Sequence, residues 1–454
     1  MAESKLKTTL SRFTSDYGML LVLLLLCVYY SWVTWDEQHP TGAAAGEQLA
    51  ADIVGRFEAP ARVIVVARSH QEDAAFADTL RDRLTAAGLT VLATVKGQPA
   101  DARAALGRAV ADHTPPAVIA CNQSTAEWGV FDHLARDFGP LAKTQILTPR
   151  TYWWPNFLKT DNLLNVANQI VVIAILAIGM TMVIITGGID LSVGSLIALS
   201  ACVSALLIRD VAGAEQAGAF GMVVCCLGGI SVCAAMGLFS GVMVTLFAIP
   251  PFITTLGMML VASGLAYIIA EGQSIYQVPD TFVWLGRGAD LLAIPNAVLL
   301  MVILYAVAHV MMTRMSLGRH IYAVGGNREA ARLSGVPVRR VLLFVYTVCG
   351  ALGGLGGVVM ASQLKSGSPT YGLMYELYTI AAVVVGGTSL AGGEGKILGT
   401  LIGAFINAVI QNGMNLTGVE SYTQKVVLGL VILGAVLLDM LKKKGSHLFR
   451  RAKS

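Results

Sequence analysis

From about residue 160 to residue 441 the chain is a near-continuous series of apolar stretches, broken only by glycines, prolines and a few charged loops. Lipid offers backbone N–H and C=O groups no hydrogen-bond partner, so apolar stretches of roughly twenty residues cross a bilayer as helices. Breakers and charges place the expected spans at 17–35, 163–186, 190–208, 218–248, 252–270, 294–312, 341–361, 376–391, 397–416 and 423–441. Composition points the same way. Only 13% of the 454 residues are charged and 55% are hydrophobic, against about 25% charged in a soluble domain. The 48 glycines suit membrane helices whose backbones approach closely.

One zone reads differently. Residues 36–155 hold 14 of the 28 acidic residues and 11 of the 32 basic ones. Short β-branched runs at 62–67, 89–95, 116–121 and 145–147 alternate with helical patterns at 72–87, 99–113 and 124–138. That alternation implies a small parallel α/β layer. Before it, Lys5, Lys7 and Arg12 precede the apolar run 17–35, which is long enough to span and has no small-residue cleavage site directly after it, so it reads as a retained anchor. Tyr152-Trp153-Trp154 closes the zone, as residues that favour the membrane–water interface or, alternatively, stack on a sugar.

Positive charge in short loops orients the chain. Basic residues gather in the N-terminus, in the segment carrying Arg314, Arg319, Arg328, Arg332, Arg339 and Arg340, and in the tail from Lys442 to Lys453. Ten spans put all three on one side, the cytoplasm. The expected fold is therefore an α-helical polytopic membrane protein of about ten transmembrane helices, with a small periplasmic α/β domain inserted between the first and second spans. Its parts are a cytoplasmic N-terminus at 1–16, the first span at 17–35, the inserted domain at 36–155, the transmembrane domain at 156–441 with a basic loop at 313–340, and a cytoplasmic tail at 442–454. Six of the seven cysteines lie in apolar stretches, a pattern of small apolar fillers rather than of disulfides or metal ligands. No basic patch is interleaved with aromatics, so nucleic acid is not an expected partner.

Three features bear on function. Gly179-Met-Thr-Met-Val-Ile-Ile-Thr-Gly-Gly-Ile-Asp190-Leu-Ser-Val-Gly194 is a membrane segment interrupted at Gly187-Gly188. Asp190 there either caps the next helix or takes part in gating and substrate passage. A fainter copy, Val385-Gly-Gly-Thr-Ser-Leu390, suggests two parallel halves. Second, Asn327 can cap a short helix, Arg328 to Ser334, that Gly335 ends. Third, amides recur inside spans: Asn165, Asn168 and Gln169 in one, and Asn407, Gln411, Asn412 and Asn415 in another, with Glu376 opening a third. Amides suit sugar hydroxyls because each offers donor and acceptor, and they equally bond helix to helix. His309 reads as a satisfied helix residue. The run Gly392-Gly-Glu-Gly-Lys-Ile397 has the wrong spacing for a phosphate loop, and Ile397 stands where Ser or Thr is needed.

The stretch Gly179 to Gly194 resembles the signature of the ribose-, xylose-, arabinose- and galactose-type ABC transporter permeases. Thr254-Thr-Leu-Gly257, Tyr322-Ala-Val-Gly-Gly-Asn-Arg-Glu-Ala-Ala-Arg-Leu-Ser-Gly335 and Val384-Val-Gly-Gly-Thr-Ser-Leu390 agree, so the resemblance covers nearly all of 160–441. It implies a monosaccharide importer subunit in the bacterial inner membrane, with no catalytic residue, metal or cofactor of its own. ATP and magnesium belong to a partner ATPase, sugar comes from a periplasmic binding protein, and a second permease copy completes the pathway. By this resemblance the loop carrying Gly318, Arg319, Gly325, Asn327, Ala331 and Gly335 couples to the ATPase. The substrate-pathway candidates are Asn165, Asn168, Gln169, Asp190, Glu376, Asn407, Gln411 and Asn412. Nucleosides or other small polar solutes are alternative cargo, and an ion-coupled secondary transporter or a membrane-based sensor are rival classes. The inserted domain departs from the family. Its element order resembles one lobe of a sugar-binding protein, which would put Asn122 at a strand's C-terminal end, where α/β ligands bind; a plain spacer is the other reading.

Overall fold

The computed structural model describes residues 2–434 and residue 437, with side chains described from residue 18. The basic tail 442–454, the last part of the expected span 423–441 and the side chains of Lys5, Lys7 and Arg12 lie outside the described residues. The chain divides into two units: one holds the residues up to Thr34 and from Asn156 on, the other Trp35–Pro155.

The unit Trp35–Pro155 is an α/β layer. Strands β2 (Arg62–Ala67), β3 (Thr90–Lys96), β4 (Val118–Cys121) and β5 (Gln145–Leu147) form a parallel sheet in the order β3-β2-β4-β5. The β-branched run Val63–Val66 is buried on both faces, as a central parallel strand must be. Val63 and Val65 pack under helices α2 (Gly42–Arg56) and α3 (Gln71–Ala86). Ile64 and Val66 pack under α4 (Pro99–Ala111). A two-stranded antiparallel ribbon, β1 (Trp35–Gln38) with β6 (Tyr152–Pro155), closes the ends of the unit. Tyr152-Trp153-Trp154 is thus strand, with all three side chains exposed.

The expected helix 124–138 is instead three short turns, Gln123–Ala126, Gly129–Asp132 and Leu134–Asp137. Trp128 and His133 leave helical backbone between them. The breaks let Phe131, Leu134 and Leu141 bury against the sheet, a tertiary gain that outweighs helix continuity. Asn122 lies at the end of β4, but it is fully buried and spent. Its amide donates to Asp73 Oδ1 at 2.6 Å, and its oxygen accepts from the Thr125 backbone N–H and hydroxyl. Asp73 in turn accepts from Arg68 Nε at 2.8 Å. Each buried polar group therefore has its partner, and Asn122 serves the fold rather than a ligand.

The other unit is helical. After α1 (Ala2–Val33) come α5 (Thr160–Ile185), α6 (Val193–Asp210), α7 (Ala219–Leu246), α8 (Pro251–Ile269), α9 (Asn296–Arg314), α10 (Ser316–Gly326), α11 (Arg328–Leu333), α12 (Val338–Leu364), α13 (Tyr375–Val385), α14 (Ile397–Leu416) and α15 (Ser421–Gly434). Among the described residues, seven helices are long and apolar enough to cross a membrane: α5 to α9, α12 and α14. The counterparts of the other three expected spans are shorter apolar helices, Gly18–Val33, Tyr375–Val385 and Ser421–Gly434. The expected span 376–391 stops at Val385, because Gly386-Gly387 ends the helix.

Helices α5 and α12 form the centre, with α5 buried from Ile170 to Ile185. By contrast α7, α8 and α9 present leucines, valines, isoleucines and phenylalanines outward, including Phe220, Leu260, Ile268 and Val307, as lipid-facing helices do. Helices α7 and α12 meet through glycines: a Cβ on Gly237 would strike the Tyr346 carbonyl, and one on Gly350 would lie 3.0 Å from the Gly237 Cα. Close backbone approach replaces the hydrophobic drive that lipid cannot supply. Polar side chains tie the rest. Tyr305 donates to the Ala174 carbonyl at 2.9 Å, the Thr181 and Thr400 hydroxyls meet at 2.7 Å, and Asn162 and Asn412 exchange amide bonds at 3.1 and 2.8 Å.

Cys121, fully buried beneath α4, has its thiol pushed up to about 12 by burial. Thiolate is the reactive form. Iodoacetamide at about pH 8 is therefore expected to leave Cys121 unmodified in the folded full-length protein and to alkylate it in denaturant. Peptide mapping by mass spectrometry reads the outcome, and full modification in the folded protein would contradict this burial.

Candidate functional site

Two interruptions in the bundle meet halfway along its longest central helix. Helix α12 has 27 residues, about 40 Å at 1.5 Å per residue. A Cβ on Gly353, near its middle, would lie 3.2 Å from Leu196 Cβ and 3.7 Å from the Val193 carbonyl. The N-terminus of α6 therefore begins beside the middle of α12 and not at its end. On the other side, α12 ends at Leu364 and the chain turns back through 365–374. A Cβ on Gly372 would strike the Gly194 carbonyl and lie 2.9 Å from Ile197 Cβ. Helix α13 starts just beyond, and the Glu376 carboxylate lies over Gly194. Two half-helices thus open at one level, with Glu376 half-buried between them. Half-helix N-termini expose unsatisfied N–H groups and positive dipole ends, the feature that discontinuous transporter helices present to cargo.

The two breaks are built alike. Helix α5 ends with Gly187 N–H on the Ile184 carbonyl and Gly188 N–H on the Val183 carbonyl. Helix α13 ends with Gly387 N–H on Val384 and Thr388 N–H on Val383. Gly187 and Gly387 both take φ near +80°, at 78° and 89°, the left-handed turn that closes a helix end. The faint sequence repeat is thus a structural one, but one residue out of the register read from the glycine pairs: Gly187 matches Gly387, and Thr186 matches Gly386.

Asp190 lies inside the first break and is fully buried. Its Oδ1 accepts from the Ser192 backbone N–H at 2.9 Å and the Ser192 hydroxyl at 2.6 Å, holding the start of α6. Its Oδ2 has no hydrogen-bond partner, and neither has the hydroxyl of Tyr346 that packs on Gly188. The Ile189 carbonyl accepts from Thr255 at 3.2 Å. Asp190 is a cap sealed among side chains, and in this conformation it lines no open path.

The far ends of both breaks converge on the basic loop. Gly393 N–H donates to the Ile185 carbonyl at 2.8 Å, and Tyr322 on α10 donates to the Gly395 carbonyl at 2.7 Å. Gly325 lies between: a Cβ there would collide with the Ile185 carbonyl and lie 2.7 Å from Gly393 N. Backbone touches backbone among three segments far apart in sequence. Gly318 is buried where α10 turns back against Met312, and Arg319 is exposed. Asn327 accepts from Ala330 N–H at 3.0 Å and so caps α11. Gly335 ends it, with Val336 N–H on the Ala331 carbonyl. Ala331 alone of α11 faces inward, while Leu333 is 76% exposed. Arg332 pairs with Glu329 on the outer face, which holds the Glu329 carboxyl below its usual range.

The amide candidates separate. Asn412 is spent on Asn162, and Asn168 is bonded to Gly286 and Gln363. Asn407 is buried, with its amide on the Tyr378 carbonyl at 3.5 Å and its oxygen unpartnered. Asn165 and Gln169 are exposed on α5, and Gln411 is half-buried. Only Glu376 sits at the halfway junction, so the structure does not gather these residues into one site. Tyr346, Thr255, Tyr322 and Gly372 were not singled out from sequence. Their partners are 66 to 178 residues away, so no local pattern reveals the pairing.

The family described as branched-chain amino acid transport system / permease component matches residues 162–436. The chain is 44% identical over 293 residues to the ribose import permease protein RbsC of Escherichia coli (strain K12), covering 64% of this chain and 88% of that protein. It is 43% identical over 290 residues to the ribose import permease protein RbsC of Bacillus subtilis (strain 168), covering 63% and 87%. It is 37% identical over 288 residues to the D-allose transport system permease protein AlsC of Escherichia coli (strain K12), covering 63% and 86%. No solved structure matches the chain.

The triple contact at Gly325 sets a test. Gly325→Ala is expected to force the Ile185 and Gly393 backbones apart and lower stability by about 1–3 kcal/mol, as overpacking does. Gly326→Ala meets no atom within 4 Å and is expected to change stability by less than about 1 kcal/mol. Thermal unfolding of the two purified variants compares them; equal melting temperatures would refute the junction.

Proposed function

This chain belongs to the branched-chain amino acid transport system / permease component family, and on that premise we propose that it is the membrane subunit of an ATP-driven monosaccharide importer in the bacterial inner membrane. The named relatives import ribose or D-allose. The observation that carries the reading is the capped helix α11, exposed except at Ala331 and linked through Gly325 to the ends of both broken segments. A force applied to α11 by another subunit has a stiff route to the half-helices. The chain itself makes and breaks no bonds. ATP and magnesium act in a partner ATPase that docks on α11 and its arginines. A periplasmic binding protein delivers the sugar, and a second copy of this chain completes the pathway. Alternation then consists of the two breaks, 186–192 and 386–396, being reoriented by the loop that holds their ends.

The orientation follows the basic loops. Helix α11 and both termini are cytoplasmic, the shorter apolar helices complete ten spans, and the unit Trp35–Pro155 lies in the periplasm. Glu376, at the opening of α13, is the pathway residue best placed to accept from sugar hydroxyls, with Asn165 and Gln169 on the exposed face of α5 as further contacts.

Reconstitution with the ATPase and binding protein tests the coupling. Asn327→Ala removes the cap, worth about 1 kcal/mol to the helix, and Gly335→Ala strains its end. Each is expected to reduce labelled-sugar uptake severalfold while ATP hydrolysis continues. Uptake at the wild-type rate in both variants would refute the coupling role. In the same assay Glu376→Gln is expected to weaken transport by about tenfold, the loss of one charged hydrogen bond. Competition with unlabelled pentoses, hexoses and nucleosides identifies the cargo, and uptake that persists without ATP would overturn the importer class.

A further inference from the structure

At the end of the bundle away from α11 lies a cavity of about 290 Å³, where α6 and α8 finish. This is close to the lower limit of small-molecule sites, about 300 Å³, and suits one small ligand. Its polar lining is Arg209, Glu271, Gln273, Ser274, Tyr276 and Gln277. Arg209 is oriented from behind: Nε and Nη2 donate to the two carboxylate oxygens of Asp210 at 2.6 and 3.1 Å. The bidentate pair offsets its charge and leaves the remaining guanidinium N–H groups as directed donors. Glu271 adds an acceptor, and the two glutamines and Ser274 each add both functions. Tyr276 is 69% exposed at the rim and presents an aromatic face. Donors and acceptors side by side, with a carboxylate at Glu271 and an aromatic platform at Tyr276, suit a polyhydroxylated ring better than an anion or an apolar compound.

Glu271 supplies an independent reason to look here. Helix α8 ends with Glu271 N–H on the Ile268 carbonyl and Gly272 N–H on the Tyr267 carbonyl. That places Glu271, at φ 51°, in the left-handed position where glycine is the usual residue. Gly272 is also left-handed, at φ 72°. A side chain kept at a strained position, beside a glycine, in the wall of a polar cavity points to use of that side chain. The cavity is also mechanically connected. Ile275 N–H donates to the Gly367 carbonyl at 2.7 Å, and Gly367 N–H returns to the Ile275 carbonyl at 2.9 Å. Gly367 begins the segment whose other end, Gly372 to Glu376, forms the halfway junction. Lys365 pairs with Asp280 beside it.

We propose that this cavity is a monosaccharide-binding site, a first station for the sugar before the Gly194–Glu376 junction, with Glu271 and Arg209 bonding hydroxyls and Tyr276 stacking on the ring. The proposal rests on the sugar-importer reading above. It places cargo on the permease itself, apart from any binding protein, and ties its occupancy to the segment 365–374 through the Ile275–Gly367 bridge.

The test uses the full-length chain in lipid nanodiscs without binding protein, with equilibrium dialysis of radiolabelled D-ribose and D-allose. The wild-type protein is expected to bind one of them saturably. Glu271→Gly and Tyr276→Ala are each expected to weaken that binding by about tenfold or more. Glu271→Gly also relieves backbone strain, so its melting temperature is expected to equal or exceed that of the wild type. A lost sugar site in an intact or more stable protein separates binding from a structural role. Uptake by the complete importer is measured in parallel. If the importer takes up either sugar while the chain alone binds neither, or if Glu271→Gly binds as the wild type does, the first-station proposal falls and the importer reading stands. If the importer takes up no monosaccharide, both fall.

Discussion

The contact among Ile185, Gly325 and Gly393 governs the rest of the membrane unit. A chain that breaks a helix inside a bilayer must find partners for the freed backbone groups within the protein. Here the Ile185 carbonyl, freed where α5 stops, accepts from Gly393, and Gly325 must lack a side chain for the two to meet. The same contact that satisfies hydrogen bonding therefore binds the basic loop to both breaks. Stability and transmission share one set of atoms. A glycine in this place serves neither flexibility nor turn formation; it keeps three backbones close enough that one cannot move alone.

From that junction the asymmetry of the bundle follows. At one end the breaks are anchored by backbone contact to α10, a helix whose continuation α11 is exposed and capped. Halfway up, the N-termini of α6 and α13 face each other across Gly194, Gly372 and Glu376. Five of the seven buried polar atoms left without partners among the described residues lie along this route: Asp190 Oδ2 and the Tyr346 hydroxyl beside the first break, Thr388 Oγ1 beside the second, and Thr379 Oγ1 with Asn407 Oδ1 on α13 and α14; the other two are Ser204 Oγ on α6 and Ser240 Oγ on α7. Unpaired buried polar groups are rare and unfavourable. The five beside the breaks fit partners that exchange between conformations.

Local signals in the sequence were read correctly where the physics is local. Seven of the expected spans followed from apolar length, the α11 cap from Asn327 with Gly335, and the parallel strands from β-branched runs between helical patterns. Distances along the chain defeated the rest. Thr255 meets Ile189, Tyr322 meets Gly395 and Gly372 meets Gly194 only after packing, and a polar residue in a span looks the same whether it bonds cargo or a neighbouring helix. Asn412 illustrates this: amide chemistry fits a sugar, but its partner Asn162 consumes it. Asp190 was legible as a polar group at the start of α6, where its Oδ1 accepts from the Ser192 backbone and hydroxyl. The single helix expected over 124–138 failed for the complementary reason, because burial of Phe131 and Leu134 depends on a sheet that local propensity does not see.

The insertion of a folded unit between α1 and α5 has a simple mechanical basis. Asn156 N–H donates to the Thr34 carbonyl at 2.8 Å, and Phe157 N–H donates to the Thr34 hydroxyl at 3.1 Å. The helical unit therefore closes across the insertion point with its own hydrogen bonds. The inserted unit closes itself independently, since Trp35 pairs with Pro155 and Gln38 with Tyr152 along the ribbon. Chain closure on both sides of the join means that 121 residues, Trp35 to Pro155, hang on a gap already bridged, so their length adds little closure entropy to the bundle. The buried network of Asp73, Asn122 and Thr125, closed by the exposed Arg68, then gives the insert a polar interior satisfied from within. With its own apolar core and its own closing ribbon, such a unit has what an independent domain needs.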